Sequence, residues 1–340
     1  MSPLASQAPD TARYTGRLYR LPGQFVADIS RIETHRTLLA LIGIWTSIFA
    51  LVLFATRVLP HAWFWYCYVP LGFVIAGRQG ALLQIVHEGA HQLICKSKRA
   101  NDFWGNWVAA LPVGLTLRGY QIGHMQHHAY TNTVDDLPTD LEKHSVTDLG
   151  DKKLYLCFLC DALGITALRS FFGHNTRFGR QRQVSAPPLW ARLQRLLYMG
   201  IVQLVILVAV FQLKVISYVL LWMVPLLTFN MILLRVRGIA EHGLPGQRGV
   251  IIESADQGNR YTRSMVTSGR SIGAYLTGAI ETLLIGSLSC NFHHEHHLFP
   301  NVPFYNLRKI HARIREQAPV DPPIYASGYF AAFLAGGLVR

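Results

Sequence analysis

Eight histidines in three groups are the residues of this chain whose types and spacing can do chemistry: His87 and His91; His124, His127 and His128; and His293, His296 and His297. Spacings of i, i+3 and i+4 put side chains on one face of a helical turn, so each group, if helical, points its imidazoles to a common side. Neutral imidazole ligates iron, zinc, copper or nickel, and a cation is what makes converging several rings worthwhile. The densest group lies in Asn291-Phe-His-His-Glu-His-His-Leu-Phe-Pro300, where four of the seven residues from Asn291 to His297 are histidine.

His87-Glu-Gly-Ala-His91 has the spelling of the HExxH zinc-protease motif, in which the glutamate is the base beside one zinc and one further ligand completes the site. The chain supplies too many histidines for that. Two irons leaning towards octahedral geometry would absorb eight or nine nitrogens and leave room for oxygen, so two metals are implied. Soluble di-iron proteins use Glu and Glu-x-x-His on bundle helices. Here Glu88 and Glu295 stand alone among histidines and are expected beside the ligands or at the surface rather than on a metal.

The elements that must position these rings are membrane helices. Of 340 residues 51% are hydrophobic, yet the formal charge is +13, a combination that fits a membrane protein with its basic residues collected on one side. Spans are expected at about Leu38–Thr56, Ala62–Val86, Leu196–Leu213 and Val215–Leu234, the first two joined by a turn at Pro60 and an aromatic entry, Trp63-Phe-Trp-Tyr. Arg78, in the last third of the second span, reads as a side chain snorkelling to the far interface, the alternative being an internal ion pair. Trp104–Leu117 and Ile272–Leu288 are interrupted by Pro112 and Glu281 and read as interfacial or re-entrant helices. Counting both as spans would separate the histidine groups across the membrane. With four spans the outer loops hold only Arg57 and Lys214, while Lys96, Lys98, Arg99, Arg169, Arg177, Arg180, Arg182, Arg192, Arg235 and Arg237 fall on the other face. The expected fold is thus all-α and polytopic, with four transmembrane helices, interfacial helices, a cytoplasmic histidine-rich cap and both termini cytoplasmic.

Other chemistries fit less well. The arginines at 177, 180 and 182 come with no nucleic-acid fold motif, so no nucleic-acid partner is expected. Cys67, Cys95, Cys157, Cys160 and Cys290 are scattered and odd in number, which argues against a disulfide framework; Cys157 and Cys160 form a CxxC inside an apolar run and read as buried side chains rather than a redox pair. Residues 1–30 contain no apolar run of about 7–15 residues, so no secretory signal is expected, and they read as a tail followed by a surface segment.

The three groups, in this order around paired spans, resemble the three histidine boxes of the membrane fatty acid desaturase and hydroxylase superfamily, over roughly residues 38–315. The stretch Asn291–Pro300 is similar to the third box of sphingolipid-type and related lipid desaturases, and Asn132, Asp135, Asp136 and Asp140 follow the second box as in many of them. The resemblance implies a ninth ligand after the fourth span, for which His242 in Glu241-His242-Gly243 is placed; the asparagine that some acyl-CoA desaturases carry one turn earlier is Gly238 here. It divides the chain into a cytoplasmic tail (1–30), a membrane desaturase-like domain (31–320) and a C-terminal segment (321–340). It implies an integral protein of the inner membrane in a bacterium or the endoplasmic reticulum in a eukaryote, with two iron ions as cofactors and O2 as co-substrate, acting on the acyl chain of a lipid. A hydroxylase or ketolase of the same superfamily shares the ligand set, and a non-catalytic zinc-binding receptor or transporter is the alternative outside it. With no haem domain, Cys-rich ferredoxin pattern or nucleotide fingerprint in the sequence, electrons must come from a separate ferredoxin- or cytochrome-type protein. Of the remaining histidines, His35 and His61 read as structural, His294 points away from its neighbours, and His144 and His174 read as solvated loop residues.

Overall fold

A backbone in hydrocarbon must satisfy its own hydrogen bonds, so the apolar runs of this chain have little choice but helix. The structure, a computed structural model, describes residues 21–130, 152–172, 188–242, 266–267, 276–316, 325–326, 328–331 and 333. The expectations for Asn132, Asp135, Asp136, Asp140, His144, His174, Arg177, Arg180 and Arg182 lie outside the described residues.

A short helix α1 (Gly23–Ile29) precedes α2 (Thr34–Leu53), which runs on through a π turn to Val58. Next come α3 (His61–Ala90), α4 (Lys98–Phe103) with a π turn to Ala110, α5 (Leu117–Tyr130), α6 (Lys152–Ala162), α7 (Ile165–Phe172) and α8 (Leu189–Ala209). A near-continuous run follows: α9 (Val215–Tyr218), a π turn, α10 (Val224–Leu227) and α11 (Phe229–His242). The described chain ends in α12 (Leu276–Leu284), α13 (His293–Leu298) and α14 (Leu307–Glu316). A parallel pairing of Val266–Thr267 with Tyr325–Ala326 is the only sheet among the described residues.

Among the described residues, four helical runs are long and apolar enough to cross a membrane: Thr34–Val58, His61–Ala90, Leu189–Ala209 and Val215–Glu241. They fall where the sequence places them, but the third starts and stops earlier than expected. The chain breaks at Gln212 and Leu213, whose φ values of 50° and 62° are incompatible with a continuing helix. Arg57 donates to the Gln212 side chain at 3.1 Å, so the 57–61 and 210–214 turns meet at one end of the bundle, away from the histidines. The Trp104 run and the described part of the Ile272 run, from residue 276 on, form short helices and π or 3-10 turns rather than spans. One further pair, Leu154–Ala162 and Ile165–Phe171, is apolar but bent by 79°, a broken span or re-entrant hairpin.

The helix α3 is central, packed against α2, α5, α11 and α12. Its core layer joins Ile75, Leu82 and Ile85 to Ile48 of α2 and to Leu221 and Trp222, with Trp45 stacked on Trp222 at 5.8 Å between ring centroids. The far face of α8, with Leu193, Leu197, Leu204 and Val205, is exposed, as a lipid-facing surface must be. At Gly77 a methyl group would come within 2.8 Å of Leu284 Cα, so α12 crosses α3 at a distance only glycine allows. That crossing corrects the reading of Arg78. Its guanidinium does not snorkel but donates to the Leu283 carbonyl and, at 3.0 Å, to Ser287 Oγ, meeting a carbonyl that the end of α12 leaves without an intrahelical partner.

Both flanks of the bundle are tied in. Ile29 and Phe25, one turn apart on α1, pack with Phe292, Val302, Leu307, Ile310 and Ile314, so the last turn of the expected tail is part of a folded cap. Asn306 Nδ2 donates to the Ile29 carbonyl at 2.7 Å. At the other end, Tyr329 is 2% exposed among Ala76, Leu233, Ala240, Ile285 and Cys290, and Glu281 accepts the Phe330 backbone N–H at 3.1 Å.

Candidate metal centre

The histidines sit on three short, separately braced pieces. His87 lies in the last turn of α3 and His91 is the residue that ends it; Gln92, at φ 62°, then turns the chain away. Asn101 fastens this exit by accepting the Ile94 N–H at 3.2 Å and donating to the Gly89 carbonyl at 3.0 Å. The helix α5 starts where Asn106 accepts the Leu117 N–H at 3.0 Å, and Gln121 docks it by donating to the Ala90 carbonyl at 2.7 Å. This carries His124, His127 and His128 alongside α3. The six-residue α13 brings His293, His296 and His297, and the turn after it is tied to α3 where Glu88 accepts the Phe304 N–H at 3.1 Å.

The eight box histidines converge in two adjoining groups. His87, His91, His124, His128 and His296 form one, and His127, His293 and His297 the other; within each, one nitrogen per ring lies within 4.8 Å of all the others. His128 and His297 join the groups, their ring centroids 4.3 Å apart. His242 ends α11, but its side chain lies outside the described residues, as does that of His294.

The nitrogen chemistry of the larger group is that of a ligand set. His91, His124, His128 and His296 form a chain of Nε2 atoms spaced 2.9, 3.0 and 3.0 Å apart, and His293 and His297 approach at 3.1 Å. An imidazole nitrogen carries either one proton or one lone pair. The middle members, His124 and His128, therefore have two neighbours each and one bond to offer. His296 Nδ1 is buried with no hydrogen-bond partner. Spacings of this size are those of imidazole nitrogens that share protons or sit side by side on one ion. Burial holds His91 down to a pKa of about 4. His124 and His296 lie well below the usual histidine range through burial and, next, the neighbouring His87. These rings are thus neutral, the form that ligates.

Carboxylates stand one layer out. Glu88 Oε1 lies 3.6 Å from His87 Nδ1, and Glu241 Oε2 lies 3.6 Å from His293 Nδ1. Glu295, fully buried, faces away from the rings and pairs with His311 Nδ1 at 2.6 Å. Spacing alone did not single out Glu241, His311 or Tyr329. For Glu241 a signal existed, its place directly before His242; for Tyr329 the sequence offers none.

Fold and site together define a polytopic membrane protein with four candidate spans among the described residues and a buried polyhistidine centre at one end of its bundle. A sequence model of the fatty acid desaturase family matches residues 63–329, and the chain belongs to that family. No curated protein matches the chain. Membership makes it a membrane oxidoreductase of the desaturase and hydroxylase type acting on lipid, and the histidine groups fit the metal binding typical of the family.

Proposed function

We propose that the protein is an O2-dependent di-iron desaturase that introduces a double bond into the acyl chain of a lipid. The observation that carries this reading is the convergence of eight imidazoles in two adjoining groups at the end of lipid-facing helices. His87, His91, His124, His128 and His296 would hold one iron, and His127, His293, His297 and His242 the other. When bound, the pair supplies dioxygen activation strong enough for an unactivated C–H bond. The chain's own part is to keep the imidazoles neutral by burial, to fix their spacing through Asn101, Gln121 and Glu88, and to exclude water beneath α13 and α14. Desaturation consumes O2, two electrons and two protons and yields the alkene and two waters.

The electrons come from a separate ferredoxin- or cytochrome-type protein on the cytoplasmic side, where Lys96, Lys98, Arg99 and the basic residues of α14 collect. Incubating purified protein with acyl substrate, O2 and a reducing system, then weighing the product, tests the reading. Loss of two hydrogens supports it, and gain of one oxygen instead assigns a hydroxylase or ketolase. One zinc and no iron per chain, in protein expressed without zinc excess, removes the enzyme reading altogether.

A further inference from the structure

The bent pair α6 and α7 carries a stripe of exposed apolar side chains that the metal centre does not use. Tyr155, Leu156, Leu159, Leu163 and Leu168 all face outward, Leu163 with 62% exposure. Between Lys153 and Arg169 the only charge is Asp161, and it is buried against Arg235 of α11. An uncharged apolar patch of this kind belongs against hydrocarbon or against a protein partner, and its depth in the bundle decides which. The pair runs down α11: Asp161 meets Arg235, and three residues later a methyl group at Gly164 would sit 3.5 Å from the Leu227 carbonyl and 3.7 Å from Thr228. Moving forward along α6 thus moves back along α11, away from the histidines. Leu227 lies close to the midpoint of the 27-residue run Val215–Glu241, so the turn sits beside the middle of the fourth span. The 11 residues of α6 rise about 16 Å, roughly half of a hydrocarbon layer of about 30 Å.

The chain then comes back to the side it left. After the 79° bend, the Phe171 carbonyl accepts from Arg195 at 3.3 Å, in the first third of α8. Since α8 leads to the 210–214 turn, which Arg57 joins at the end of the bundle away from the histidines, its start lies at the histidine end, as does that of α6. The turn itself suits hydrocarbon. Leu163 and Gly164 donate their N–H groups to the Leu159 and Asp161 carbonyls, each at 3.0 Å, and glycine accepts the φ of 71° that the bend requires.

We propose that α6 and α7 form a re-entrant hairpin embedded in the histidine-side leaflet, with its turn at Leu163 and Gly164 near the bilayer midplane and its exposed stripe solvated by acyl chains. The test uses full-length protein in lipid nanodiscs with one ketone-bearing residue at a time, replacing Leu159, Leu163, Leu197 or Arg313, to which a nitroxide is attached so that the native cysteines stay unlabelled. Power saturation compares collisions with O2, which concentrates in the bilayer, and with a water-soluble nickel chelate. The label at Leu163 should read like that at Leu197 on the lipid face of α8, with O2 collisions high and chelate collisions lost, and the label at Leu159 should read as shallower. Chelate collisions at Leu163 as frequent as at Arg313 on α14 would place the turn in water, and loss of both colliders would place it against protein; either overturns the proposal. Sidedness is read in sealed vesicles of one orientation with a membrane-impermeant ketone reagent. Replacements at Lys152 and Leu189 should react from the same side, and reaction from opposite sides would overturn the hairpin in favour of a fifth span. If the Leu163 replacement does not elute as wild type, Leu159 decides the depth measurement.

Discussion

His128 serves both halves of the centre. Its Nε2 is 3.0 Å from His124 and 3.0 Å from His296, and its ring lies 4.3 Å from that of His297. Replacing it with alanine should reduce turnover below detection while the protein still inserts and elutes as wild type, which product analysis and size-exclusion chromatography check. His91 carries a different consequence. Its pKa falls to about 4 in the folded protein, while an exposed histidine titrates near 6.5, so between those values the unfolded chain binds the extra proton. Stability of metal-free protein should therefore rise with pH across that window and lose this contribution as pH falls through it. Thermal unfolding in detergent between pH 4 and 7 would record it. Spacing within each histidine group was legible because one helical turn dictates it. The division into five and three was not, because it depends on how α5 and α13 both meet the end of α3, and sequence does not specify those angles.

At the scale of elements, the bent pair α6 and α7 is fixed by one buried contact. Asp161 accepts from Arg235 Nε and, at 2.9 Å, from Nη2, and Thr166 Oγ1 donates to it at 2.6 Å; the Asp161 and Arg235 side chains are 0% and 2% exposed. Removing one partner strands the other charge, so Asp161→Asn should destabilise the protein by about 3–5 kcal/mol. A lowered unfolding midpoint with intact secondary structure by circular dichroism is the expected record, and an unchanged midpoint would show that the pair carries no stability. The spans themselves were readable because hydrocarbon thickness sets their length. The stop at Gln212 and the partner of Arg78 were not, since the first is a backbone choice that no residue type announces and the second depends on α12 crossing at Gly77.

For the whole molecule, the cap built from α1, α13 and α14 decides what can approach the centre. The helix α14 buries Leu307, Ile310 and Ile314 and exposes Arg308, Lys309, Arg313 and Arg315 against a single acid, Glu316, while His311 reaches inward to Glu295 beside the third box. Reversing Arg308 and Lys309 to glutamate should slow reduction by an acidic donor protein at least tenfold at low salt and flatten its salt dependence. Reduction by dithionite should be unchanged. Stopped-flow reduction with each reductant separates a docking defect from a damaged centre. The placement of lysine and arginine between the spans leads one to expect a basic face, but the exposure of this particular helix follows from its apolar stripe meeting α1.

The contact between His128 and His296 joins residues 168 positions apart, and Tyr329 lies later still. A ribosome adding roughly 5–20 residues per second needs about ten to thirty seconds to bridge that gap. Throughout that time the nascent chain displays the first two boxes with no third box to close over them. On the proposed metal reading, the full ligand set exists only after the third box has been made. A stalled or truncated translation product would insert its early spans yet never hold the complete centre.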